Sequence, residues 1–295
     1  MTSDFAQACV MAVLATAALL GNIVICLMVY KHSWVLHPTN DFVISLALSD
    51  ILMVVIPVPL TIGAMIMDSA QFYSDTTCSI YGVFNDFPKM ASIFTLAFVA
   101  IQRYYRIVKP QEYEKTFTPG YSVIILMIIW VVSGLSSGFP VMVSWAEYKF
   151  HSEYLGCYVT FKWDLQRSIW NVSMLFVGIV IPAFLTFNCY RIIFRIIRGR
   201  KCEVDPRVNA RQMFTSKMYR LTKTFLIVSI VSITCYCPAA ILLVVDQLFS
   251  LHITLIAARI AFFSTVVASS SKVFIYCLVN RPFRRELRNL INFIF

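Results

Sequence analysis

The stretch SSSKVFIYCLVNRPFRREL, Ser269 to Leu287, runs from an apolar segment into a basic one and carries a lysine, Lys272, inside its apolar part. An isolated ammonium in hydrocarbon is costly, so Lys272 is either a functional site or one half of a compensated charge pair. Its partner has to come from the other apolar segments, and those segments define the fold.

Of the 295 residues, 59% are hydrophobic and only 14% are charged, a balance too apolar for a soluble fold of this size. A helix needs ~20 apolar residues to cross a bilayer core. The runs Phe5–Tyr30, Thr116–Ala146, Ser168–Tyr190 and Thr224–Val245 hold no Asp, Glu, Lys or Arg. Phe42–Met67 holds one acid, Asp50; Tyr81–Gln102 holds Asp86 and Lys89; Ile260–Val279 holds Lys272. Alternating barrel-type strands are absent, which leaves helices. The expected fold is therefore an all-α membrane protein. It forms a seven-transmembrane helix bundle in a single domain, 1–295, with spans at about 5–30, 40–67, 78–107, 120–144, 168–195, 217–247 and 256–279. Phe283, Leu287, Leu290, Ile291 and Ile294 fall on one side of the basic stretch that follows, so a short amphipathic helix over 282–294 is expected to lie in the membrane interface.

Basic residues set the orientation. With the N-terminus extracellular, the inner loops and tail hold 19 of the 25 Lys and Arg, and the outer loops and segment ends hold Lys149, Lys162, Arg167 and Arg259. The net charge of +10 thus reads as topology, not nucleic-acid affinity. The first segment lacks a basic leader and a small-residue cleavage site, the pattern of a retained signal anchor. Six of the nine cysteines sit in apolar runs as small hydrophobes, and Cys202 falls in a cytosolic loop. Cys78 and Cys157 both fall on the oxidising outer side and are the natural disulfide pair. Cys235 and Cys237 have the wrong spacing for zinc, and no metal site is expected. Asn171-Val-Ser173 matches a glycosylation pattern but abuts a membrane segment.

Position-specific residues narrow the reading. They are Asn22 in GNIVIC, Asp50 in SLALSD, Cys78 at the start of segment three, Arg103 in QRYYRIVKP, Trp130 and Pro140, Pro182 and Tyr190, Pro238 in CYCP, and Tyr276. In this order, on these segments, the chain resembles the rhodopsin-like G-protein-coupled receptors over essentially its whole length. The nearest members look like opsins, with melatonin receptors close behind. Trp145 and Tyr148 stand twelve and nine residues before Cys157, and Tyr81 three after Cys78, spacings that resemble opsins.

The resemblance implies an inner face that couples to a heterotrimeric G protein through Gln102, Arg103 and Tyr104. It also implies a plasma-membrane location, an unknown small ligand, and no enzymatic chemistry. Four departures stand out. The opsin retinal lysine falls at Val266, which cannot form a Schiff base, and Lys272 lies ~9 Å further along the helix. In the family, the residues at Asp50, Ser92 and Lys272 together can hold a sodium ion. Here the ammonium of Lys272 is expected to take the ion's place opposite Asp50, either as a switch with Tyr190 and Tyr276 or as a static ion pair. Gln102 replaces the usual acid before Arg103, and Met218 stands where segment six usually offers an acid, so raised basal activity is expected. Finally, Tyr236 replaces the usual tryptophan two residues before Pro238.

Ligands of this family enter between the outer halves of segments three, five, six and seven. There Tyr81, Asn85 and Lys89 form one helical stripe, with Asp86 three residues before Lys89 and able to pair with it. Tyr236 and Val266 are the candidates on the facing segments. Aminergic receptors carry their amine-binding acid at the position of Asn85, so Asp86 is displaced by one residue. Retinal is not expected as a cofactor; an atypical photoreceptor with a Schiff base on Lys89 is an alternative. Asp246 and Arg259 are placed as a bridge between segments six and seven, and His151 as solvated. Two other readings stay open: a receptor-like scaffold that no longer signals, and a seven-helix transporter with a proton path through Asp50, Asp86, Lys89 and Lys272, although no inverted repeat is visible.

Overall fold

A computed structural model describes residues 2–31, 39–67, 73–151, 156–200, 209–249, 255–279, 283–285 and 287–288. The order of elements is α1 (Thr2–Lys31), α2 (Asn40–Val55), α3 (Pro57–Ile66), α4 (Asp75–Val108), α5 (Pro110–Thr116), α6 (Pro119–Met142), β1 (Ala146–His151), β2 (Gly156–Phe161), α7 (Asp164–Leu175), a π turn (Phe176–Val180), α8 (Ile181–Arg200), α9 (Asn209–Phe249) and α10 (Leu255–Val279).

Six segments among the described residues are long and apolar enough to cross a membrane: Asp4–Lys31, Asn40–Ile66, Gly120–Met142, Asp164–Arg198, Tyr219–Leu242 and Ile256–Val279. The seventh is α4, which carries Asp86, Lys89, Arg103 and Arg106 along its 34 residues. Its charges are tolerated because it is the central helix, packed against α2, α6, α8 and α9. Helix α6 is the opposite case. Val123, Ile124, Met127, Ile128, Val131 and Leu135 are all exposed on one face, as a helix facing lipid requires.

Local chemistry sets the breaks. The second span is two helices, because Pro57 has no N–H to continue the ladder; α2 ends at Ile56, whose N–H closes on Leu52 O at 3.2 Å, and Pro57 starts α3 at a position where the missing donor costs nothing. Ser74 caps α4 by accepting from the Thr77 N–H at 3.2 Å, and Thr118 caps α6 in the same way from Tyr121. The fifth span starts four residues earlier than expected, at Asp164, and passes through the π turn at Gly178, where a Cβ would meet the Met90 side chain. The sixth extends over Asn209–Phe249.

The outer loop is not a plain connection. Strands β1 and β2 pair antiparallel, with Tyr148 opposite Val159 and Phe150 opposite Cys157. The disulfide from Cys78 on α4 to Cys157 on β2 pins this hairpin across the bundle. The end of the bundle that carries it is called the outer end below. Close contacts seat the hairpin: a Cβ at Gly82 would overlap the Tyr148 ring, and one at Gly156 would overlap the Tyr81 phenol. The core falls into an outer cluster around Met53, Tyr81, Tyr148 and Val266, and an inner cluster around Phe42, Leu96, Tyr190, Phe225, Tyr276 and Phe283. Most of the amphipathic helix expected over 282–294 lies outside the described residues. Of its apolar side, Phe283 is buried with its ring 5.8 Å from that of Tyr276, and Leu287 packs on the inner cluster.

Candidate functional site

Helix α4 positions three sets of candidate side chains in turn. At its outer half a cavity of ≈ 390 Å³ opens between α4, α7, α9, α10 and the hairpin. Asn85, Asp86, Lys89 and Met90 supply the α4 wall; Tyr158, Thr160 and Phe161 of β2 form its roof; Trp170 and Met174 come from α7, Leu242 from α9 and Phe262 from α10. Lys89 Nζ lies 2.9 Å from Asp86 Oδ1, the i,i+3 pairing that the sequence spacing allowed. The Asn85 amide nitrogen donates to the same Asp86 oxygen at 3.1 Å, so its carbonyl faces the other way; Asn85 is 3% exposed and this oxygen has no partner among the described residues. Across the cavity Arg167 pairs with Asp164 at 3.3 Å. The roof is anchored by Tyr148, whose hydroxyl donates to Ser137 O at 2.7 Å; burial, with Asp86 nearby, pushes its phenol well above the usual range.

Less than one turn of α4 beyond Lys89, a second charge pair is fully enclosed. Lys272 Nζ is 2.8 Å from Asp50 Oδ1 and donates to Ser92 Oγ at 2.6 Å. Lys272, Asp50 and Ser92 are 1%, 2% and 1% exposed, so this is a dry ion pair joining α2, α4 and α10. The Tyr236 hydroxyl of α9 reaches Ser92, and Ser269 lies within reach of the Asp50 carboxylate. Nearby, Trp130 Nε1 donates to Ser45 Oγ at 2.9 Å, and Asn22 caps Ala18 O at 2.8 Å while lying 3.5 Å from Ser269 O.

At the inner end Arg103 is almost fully buried. Its guanidinium donates to Thr39 Oγ1 and sits 5.2 Å from the Phe225 ring centre. Arg106, Tyr190, Tyr113 and Tyr276 are the charged and phenolic groups acting most strongly on it, and among the described residues no carboxylate pairs with it. Gln102 beside it is equally buried, and both of its amide atoms lack partners among the described residues. The Tyr276 hydroxyl is likewise unpartnered, its ring set edge-on to Phe225 at 6.2 Å. On α5, burial raises the Tyr113 phenol while Arg106 and Arg103 oppose the shift, and the hydrogen-bonded carboxylate of Glu112 raises Lys109. Tyr104 meets Tyr105 edge-on at 5.6 Å and is half-buried against the inner cluster.

Several expected positions fall elsewhere. Asn85, Asp86 and Lys89 line the cavity, but Tyr81, Tyr236 and Val266 do not. Tyr81 is fully buried under the hairpin, its hydroxyl 3.1 Å from Thr61 Oγ1, because one further turn of α4 carries the stripe past the cavity mouth. Val266 is closed into the outer core, and Tyr236 points inward to the ion pair. The Asp246 side chain lies outside the described residues; Arg259 pairs with Asp4 at 2.7 Å and donates to Gln7 at 2.9 Å, tying α10 to α1. The Met218 side chain also lies outside them. His151 is not simply solvated: its Nε2 lies 3.0 Å from Thr160 Oγ1, and it lines the cavity. The sequence reading missed Asp164, Arg167 and Thr39. The Asp-x-x-Arg spacing at 164 and 167 was the available signal, obscured because the fifth span was started at Ser168. Thr39 carries no local mark.

The family model for the seven-transmembrane receptors of the rhodopsin family matches residues 21–279. The chain is 27% identical to G-protein coupled receptor 161 of Danio rerio over 63% of its own length and 34% of that protein. It is 29% identical to the D(1)-like dopamine receptor of Takifugu rubripes over 64% of its length and 42% of that protein. It is 25% identical to the octopamine receptor beta-1R of Drosophila melanogaster over 99% of its length and 62% of that protein. The chain thus spans less than two thirds of the length of each of these relatives. Two of the three carry the names of amine receptors, whereas the sequence motifs pointed first to opsins.

Proposed function

The chain belongs to the rhodopsin family of seven-transmembrane receptors, and from that membership we propose that it takes a small amine-bearing ligand in its outer cavity and signals to a heterotrimeric G protein through the inner face around Arg103. The observation that carries this reading is the placement of three sites on one helix. Asn85, Asp86 and Lys89 face the cavity, Ser92 joins the buried ion pair, and Arg103 ends the helix at the opposite face. A ligand drawing on Asp86 thereby acts on the same rigid element that presents Arg103, ~26 Å away along the helix.

The names of the dopamine and octopamine relatives and the carboxylate in the cavity support the amine. The opsin-like features, Trp145, Tyr148 and Tyr81, belong to the hairpin that roofs the cavity and to its seat on α4, not to its chemistry. Retinal is not part of the proposal, since Val266 offers no amine and the Lys89 side chain is engaged by Asp86 at 2.9 Å. The Asp50–Lys272 pair is the proposed switch element between the two ends, with Tyr236 and Tyr276 around it and Tyr190 between Tyr276 and Arg103. The basic inner loops support a plasma-membrane orientation with the N-terminus outside.

The test is nucleotide exchange by a purified G protein on the receptor in lipid nanodiscs, without ligand, against Arg103→Ala. Exchange well above that of the variant is expected. Rates equal to the variant's overturn the signalling reading in favour of a silent scaffold, and charge movement under voltage clamp would favour a transporter.

A further inference from the structure

Among the described residues, the charges that line the cavity come in balanced pairs. Lys89 is bonded to Asp86 at 2.9 Å on α4, and Arg167 to Asp164 at 3.3 Å on α7. Asp164 is 93% exposed, so the α7 pair sits at the rim, where screening leaves it little binding energy. The α4 pair is deeper, with Lys89 17% and Asp86 46% exposed, and beside it Asn85 turns a buried carbonyl oxygen, without a partner among the described residues, away from the pair.

A ligand with a single charge fits this arrangement poorly. An ammonium that takes Asp86 leaves Lys89, 17% exposed, without its partner in a half-dry wall, and a carboxylate that takes Lys89 leaves Asp86, 46% exposed, to be compensated only in part by water. Stranding one member of such a pair costs much of what the new contact gains. A ligand that brings both charges replaces one ion contact by two and strands nothing. Its ammonium takes Asp86 and the free Asn85 oxygen, and its carboxylate takes Lys89. The remaining walls, Met90, Phe161, Trp170, Met174, Leu242 and Phe262, are apolar and aromatic and suit an uncharged body.

Building on the ligand-responsive reading above, we infer that the natural ligand of the cavity is a small zwitterion of amino-acid type with an apolar or aromatic side chain, not a simple amine. Lys89 acts as the selectivity residue that turns away amines lacking a carboxylate.

Three probes of one shape separate the cases: L-phenylalanine, 2-phenylethylamine and 3-phenylpropionate, titrated against the purified full chain in nanodiscs with the rise in Tm as readout. The amino acid is expected to half-saturate at a concentration at least tenfold below either single-charge probe. Lys89→Gln should pass the preference to the amine, and Asp86→Asn to the acid. The neutral double variant Asp86→Asn/Lys89→Gln, which strands no charge, should fold and lose the ranking. An amine that binds the wild-type chain as tightly as the amino acid, or a ranking unchanged in Lys89→Gln, overturns the inference; so does the absence of any shift with all three probes. None of these outcomes touches ligand-free nucleotide exchange, so this inference and the signalling reading fail separately.

Discussion

Lys272 on α10 and Asp50 on α2 meet at 2.8 Å in a space closed to solvent, with Ser92 of α4 completing the ammonium's contacts at 2.6 Å. Three helices far apart in sequence are thereby joined at mid-bundle by one charge pair. Lone charges there would be prohibitive, so the two residues are energetically one unit.

Lys272→Met and Asp50→Asn should each lower stability by about 3–5 kcal/mol, because each strands the other charge. The double variant, which removes both charges, should recover most of that loss. Thermal unfolding in matched detergent measures it; losses that simply add in the double variant would show that the two side chains are not coupled.

With the ammonium already beside Asp50, sodium has no vacancy to fill. Replacing sodium chloride by choline chloride at constant ionic strength should leave Tm unchanged, and Lys272→Ser should gain a sodium-dependent rise. A sodium-specific stabilisation of the wild-type chain would contradict the contact.

Arg103 is held by a neutral hydroxyl and a ring, and among the described residues by no carboxylate. Introducing an acid with Gln102→Glu should add a charge-assisted bond and lower ligand-free nucleotide exchange severalfold relative to wild type. Exchange that rises in Gln102→Glu would mean that the neutral glutamine is itself the restraint.

The hairpin leaves no room at two glycines, where a Cβ at Gly156 would lie 2.4 Å from the Tyr81 hydroxyl and one at Gly82 2.1 Å from the Tyr148 ring. Gly156→Ala is expected to weaken ligand-induced thermal shifts more than basal stability, since it displaces the cavity roof. Cys157→Ser should cost about 2–5 kcal/mol by freeing the whole hairpin. Surface expression and Tm report both, and a Gly156→Ala protein with unaltered ligand titrations would place the roof outside the binding path.

Incubation with retinal isomers should produce no acid-stable visible band, since Val266 has no amine and Lys89 is engaged by Asp86. A band that survives acid and disappears in Lys89→Gln would establish an atypical photoreceptor instead.

The sequence alone determined the bundle, because a membrane-spanning segment has to satisfy its own backbone bonds and so announces itself by length and apolarity. It also gave the disulfide, from the side of the membrane, and the Asp86–Lys89 pair, since i,i+3 neighbours follow from helix pitch. The pairing of Lys272 with Asp50 was legible through the family resemblance, which sets those two positions opposite each other; burial alone says only that Lys272 needs compensation. Tertiary structure decided everything that depends on rotation about a helix axis or on the path of a loop. It turned Tyr81 and Val266 into core and Tyr236 toward the ion pair, and it brought Thr39 to Arg103 and Asp4 to Arg259. The outer loop became a strand pair that roofs the cavity, and Asp164 and Arg167 came to its rim. Periodicity fixes which residues share a helix face, but which neighbour that face meets depends on packing between segments far apart in the chain.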